Sequence, residues 1–111
     1  SNLLIPYFHY TPISLIPFFN FLPLPATIFK HMKTSVDISY YPLRPEFVTP
    51  ILDFIKRLNA HKDIEAVTNG MSTQVFGEYR AVMSALTSEM EKSFELPHSV
   101  FILKIVNADL N

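Results

Sequence analysis

The side chains in this sequence that could recognise a small molecule fall in two short stretches. The first holds Asp37 and Ser39 beside Tyr40 and Tyr41; the second runs Asn69-Gly70-Met71-Ser72-Thr73-Gln74-Val75-Phe76-Gly77. Together they offer a carboxylate, hydroxyls, an amide and aromatic rings. Such a set suits binding by hydrogen bonds and stacking. Its ligand would be flat, rich in donors and acceptors, and neutral or cationic, with an amino group toward the carboxylate and a ring on an aromatic face. The same residues also read as solvent-facing positions of ordinary strands, with Thr73 present for its β propensity. Spacing alone leaves both readings open.

Other chemistries find little support. The histidines, His9, His31, His61 and His98, keep no metal-ligand spacing. Two glycines cannot build a Gly-rich phosphate loop. The absence of Cys removes disulfides, thiolate metal sites and a Cys nucleophile together, and is compatible with a reducing, cytoplasmic location. Ser72, His98 and Asp37 make a triad only on paper, since no strained elbow motif surrounds Ser72. A formal charge of −1 gives no general attraction to nucleic acid.

The elements that must position these groups follow from hydrophobic period. Residues 35–40 alternate strictly, placing Val36, Ile38 and Tyr40 on one face and Asp37, Ser39 and Tyr41 on the other. Pro42 and Pro45 end that strand. Thr49-Pro50 reads as an N-cap with Pro at the first helical position, and Ile51, Leu52, Ile55 and Leu58 as the buried stripe of the helix. Asp53 and Arg57 are one turn apart and suited to pair.

Residues 64–68 form a second strand, and Asn69-Gly70 signals a tight hairpin because both residues tolerate positive φ. Gly77 should open the second helix, running to about Phe94 with Tyr79, Val82, Met83, Leu86, Met90 and Phe94 inward. Residues 100–106 are apolar on both sides, as for a strand covered on both faces. The order is strand, helix, strand, strand, helix, strand. This predicts an α+β, ferredoxin-like βαββαβ sandwich with a four-stranded antiparallel sheet and both helices on one face. The second face then needs a cover, which homo-oligomerisation would supply.

Composition divides the chain at about residue 31. Residues 1–29 hold no Lys, Arg, Asp or Glu and five of the nine prolines. Prolines recur too often for an unbroken membrane helix, and no basic start precedes the apolar run as a secretory signal would require. Residues 1–31 are therefore expected to be an apolar, Pro-rich extension upstream of a start at Met32, with the domain at 32–111.

Residues 34–43, Thr-Ser-Val-Asp-Ile-Ser-Tyr-Tyr-Pro-Leu, resemble the first-strand motif of the YkoF-like thiamine-binding family. Gly70-Met71-Ser72-Thr73-Gln74-Val75-Phe76-Gly77 resembles that family's Met-Ser-Thr-x-x-x-Gly segment, and Lys104 to Ala108 its last strand. The resemblance covers roughly residues 33–109. It implies the ferredoxin-like fold, assembly into dimers or tetramers, and non-enzymatic binding of thiamine or its hydroxymethylpyrimidine half, with no other cofactor. It assigns Ser72 and Thr73 to the pyrimidine and Asp37 and Ser39 to a polar wall, with Asn107 a further candidate. Phe76 stands where the family commonly has a smaller or polar residue, and would either fill the pocket or stack within it. Two alternatives from other classes are a small dimeric α+β barrel enzyme oxidising a haem or a quinol, and a purely structural oligomerisation domain.

Overall fold

The structure, a computed structural model, describes residues 32–111; the expectations for residues 1–31 lie outside the described residues. Strand β1 (Lys33–Pro42) leads to helix α1 (Val48–Asn59), then β2 (Ile64–Thr68), β3 (Thr73–Glu78), α2 (Tyr79–Ser93) and β4 (Ser99–Val106). The sheet order is β2-β3-β1-β4 with every neighbouring pair antiparallel. This is the ferredoxin-like arrangement that the order of periods predicts, and β1 and β3 are its central strands.

Alternation along β1 decides which face meets the helices. Val36, Ile38 and Tyr40, with Val75 of β3, pack on Phe54 and Leu58 of α1 and on Val82 and Leu86 of α2. Phe54 joins Tyr40 edge-on, with centroids 5.6 Å apart, and Phe101 of β4 stacks on Tyr40 at 4.3 Å. Gly77 lies inside β3 rather than opening α2. A Cβ there would stand 3.1 Å from a Val82 methyl and 3.4 Å from the Asp63 carbonyl oxygen. Its missing side chain lets the strand lie close under the start of α2.

The helices differ from expectation at their ends and on their stripes. Helix α1 starts at Val48, so Pro50 occupies its third position, still within the turn whose N–H groups have no helical acceptor. The Thr49 side chain does not cap; its backbone N–H donates to Glu46 Oε1 at 3.3 Å. Phe54, not Leu52, anchors the helix, and Leu52 is 59% exposed. On α2 the buried side is Val82, Ala85 and Leu86, while Tyr79 and Phe94 are exposed.

A polar clamp joins the two helices. Arg57 donates to Asp53 Oδ2 at 2.9 Å, to Glu89 Oε1 at 2.7 Å and to Ser93 Oγ at 2.7 Å. His61 Nε2 meets the other Glu89 oxygen at 2.7 Å. Burial disfavours the Glu89 charge, but the hydrogen bonds from His61 and Arg57 outweigh it and hold the carboxyl below its usual range.

Among the described residues nothing covers the β4 part of the opposite sheet face, where the sequence predicted cover on both sides. Val100, Ile102 and Val106 are exposed there, beside Tyr41 of β1 and Val67 of β2. One end of that face is crossed by the C-terminal segment. Ser35 Oγ donates to the Ala108 carbonyl at 2.7 Å and accepts from the Leu110 N–H at 2.9 Å, and Asn111 reaches Glu65 of β2 at 2.8 Å.

Candidate functional site

Strand β1 is longer than β3, and the difference makes a cavity. Pairing of β1 with β3 stops at Ile38↔Thr73, whereas pairing with β4 continues to Pro42↔Ser99. Beyond Thr73 the β3 side of residues 39–42 carries no strand among the described residues. The space left is about 390 Å³, walled by β1, by Phe47, Ile51, Phe54 and Ile55 around α1, and by the β2–β3 loop.

The loop is shaped by a side chain. Asn69 Oδ1 accepts from the N–H of Met71 at 2.8 Å and of Ser72 at 3.1 Å, and Asn69 N–H donates to the Ser72 carbonyl at 3.0 Å. Neither Asn69 nor Gly70 takes positive φ, so the Asn-Gly pair turns the chain through the Asn amide and not through left-handed backbone. Met71 is consequently turned outward, 88% exposed.

The polar lining includes Ser39, Thr68, Asn69, Ser72 and Thr73, and among the described residues no Asp, Glu, Lys, Arg or His lines the cavity. Thr68 and Thr73, paired across β2 and β3, join their hydroxyls at 2.9 Å. Ser72 Oγ donates to Asp37 Oδ1 at 2.5 Å, and Gln74 Nε2 donates to the same oxygen at 2.8 Å. The Ser72 and Gln74 hydrogen bonds lower the Asp37 pKa, against a small opposing effect of burial, with Lys104 adding weakly from 4.0 Å. Asp37 therefore stays a carboxylate at neutral pH and fixes Ser72 at the cavity's edge.

The residues singled out from the sequence divide into three sets. Ser39, Ser72 and Thr73 line the cavity. Asp37 reaches it only through Ser72; with Phe76, Gln74, Lys104 and Leu110 it lines a second depression of about 330 Å³ on the uncovered sheet face. Phe76 therefore neither fills the cavity nor stacks within it. Asn107 is exposed beyond β4 and borders neither space. Sequence reading missed the apolar wall from α1 and the hydroxyl of Thr68. A two-residue Asn-Gly turn would have set Thr68 opposite Met71; the four-residue loop 69–72 sets it opposite Thr73 instead, so the sequence carried no signal for the latter.

Among the described residues no group of His, Cys, Asp or Glu is placed to hold a metal ion, and no helix is long and apolar enough to cross a membrane.

Comparison with known proteins places this geometry among solved folds. No family model matches the chain, and no curated protein matches it. Several solved structures share the fold. A hypothetical protein of Methanocaldococcus jannaschii is 19% identical, with a TM-score of 0.63 over 73% of this chain and 86% of its own. A Thermotoga maritima protein assigned provisionally to thiamine biosynthesis or salvage is 18% identical, with a TM-score of 0.60 over 71% of this chain and 84% of its own. A domain of unknown function from Bacillus cereus, DUF77, is 12% identical, with a TM-score of 0.56 over 72% and 80%. At these identities the likeness is one of fold.

Proposed function

We propose that the cavity between β1, α1 and the β2–β3 loop binds thiamine or its hydroxymethylpyrimidine moiety without transforming it. The observation that carries this reading is a recess of about 390 Å³ beside Ser72 and Thr73, the residues of the Met-Ser-Thr segment. Flat apolar walls with a few fixed hydroxyls suit a heteroaromatic ring. The Thermotoga maritima fold relative, with its provisional place in thiamine metabolism, supports the same ligand class.

The lining also favours binding over catalysis. Among the described residues the lining holds no carboxylate or imidazole to move a proton, and His61 meets Glu89. Without a cationic side chain in the lining, a phosphate group would gain nothing inside, which favours the unphosphorylated ligand. Assembly into a homo-oligomer belongs to the proposal. The open sheet face is apolar at Tyr41, Val67 and Ile102 and carries Lys104 and Glu65 as well, so a second copy could match it in both apolar surface and charge.

Titration calorimetry with thiamine and with hydroxymethylpyrimidine tests the reading. Binding by the wild type is expected, with Thr73→Val weakening it about tenfold, since the variant keeps shape and loses one hydroxyl. No heat from either compound at millimolar concentration would overturn it.

A further inference from the structure

We propose that the main chain of Tyr40, rather than a side chain, reads the ligand's hydrogen-bonding edge: its N–H donates to a ring nitrogen and its C=O accepts from the adjacent exocyclic amine. The inference rests on the aminopyrimidine reading above for the ligand's identity. It rests on the strand geometry for the residue.

Along a regular strand, the N–H and C=O of one residue point to one neighbouring strand and those of the next residue to the other. Two hydrogen bonds at the ends of β1 fix which is which. Tyr79 N–H donates to the Met32 carbonyl at 2.7 Å, on the β3 side. Leu43 N–H donates to the His98 carbonyl at 3.0 Å, on the β4 side. Even-numbered residues of β1 therefore face β3. Lys33↔Glu78 through Ile38↔Thr73 keep this register without a bulge, so the next even residue, Tyr40, would pair with Met71 if the ladder continued.

It does not continue. The Met71 N–H is held by Asn69 Oδ1, and no partner for either main-chain group of Tyr40 is found among the described residues. Both groups point into the cavity that Tyr40 lines. An unpaired donor and acceptor in a recess demand a partner.

The free edge is one residue long. The following even residue, Pro42, has no N–H, and its carbonyl accepts from Arg44 N–H at 2.9 Å. A single donor beside a single acceptor is too little for an added peptide strand, but it matches a ring nitrogen next to an amino group. The pair is also rigid. The Tyr40 ring is stacked on Phe101 and its hydroxyl meets Ser99 Oγ at 3.0 Å, so the main chain is held before any ligand arrives.

The test compares thiamine with oxythiamine, whose oxo group and protonated ring nitrogen invert the donor–acceptor order. Calorimetry on the wild-type chain should show oxythiamine binding at least tenfold more weakly. Replacing Tyr40 by its α-hydroxy acid, which keeps the side chain, deletes the N–H and weakens the Ser39 carbonyl as an acceptor on the β4 side, should cost thiamine at least tenfold while the chain stays folded by circular dichroism. Equal affinity for the two compounds, or an ester variant that binds thiamine normally, would overturn this inference and leave the thiamine reading standing. Binding of neither compound overturns both.

Discussion

At the scale of single residues, the shape of the site depends on Asn69, itself part of the cavity lining. By taking the Met71 N–H it ends the β1–β3 ladder and opens the recess, and by taking the Ser72 N–H it shapes the loop. Asn69→Ala should lower stability by only about 1 kcal/mol, since both bonds are exposed. Thiamine affinity should fall more than tenfold, because Met71 is then free to turn toward β1. Calorimetry and denaturant titration on the same variant check the two halves together. The sequence shows much at this scale. Asp37 and Ser39 are readable on one face of a central strand because alternation places them there. Asn69-Gly70 is readable as a turn, but its mechanism is not, since an amide turn and a left-handed turn use the same two residues. The free edge of Tyr40 leaves no trace in residue type, because every residue but proline carries the same main-chain groups.

At the scale of elements, the helices depend on one ion-pair cluster between α1 and α2. Glu89 sits below its usual carboxylate pKa, so its contribution to stability is present above the ordinary value of 4.5 and is lost as pH falls through the lowered value. Glu89→Gln should cost about 1–3 kcal/mol at neutral pH, leaving Arg57 partly buried without its carboxylate. The difference from wild type should shrink toward zero in acid, as followed by urea denaturation across pH. A pH-independent difference would show that packing, not charge, is what the substitution removes. The Asp53–Arg57 pair was legible from its one-turn spacing, whereas Glu89 and Ser93 were not, since their partners lie on another helix. Burial on α1 was misread for a similar reason. Leu52 and Phe54 both lie near the apolar stripe, and only the position of the sheet makes Phe54 the anchor. Tyr79 and Phe94, at the two ends of α2, are exposed, although Phe94 still meets Phe101 of β4 edge-on at 5.4 Å.

At the scale of the whole molecule, one sheet face exposes Tyr41, Val67, Val100, Ile102 and Val106 with no cover among the described residues. Ile102, midway along the edge strand β4, is 58% exposed on that face. Ile102→Asp should leave the fold of one chain within about 0.5 kcal/mol of wild type. If two copies join through this face, the same change should halve the mass seen by light scattering; an unchanged oligomer would place the contact elsewhere. The order of strands carries one more consequence. β1, near the start of the domain, takes its final neighbour from β4, the last strand of the described chain. As the polypeptide leaves the ribosome, β1 must wait with one flank unsatisfied, a temporary sheet border open to pairing with any passing strand. Nascent chains stalled before Ser99 should therefore lean on chaperones until the closing strand emerges.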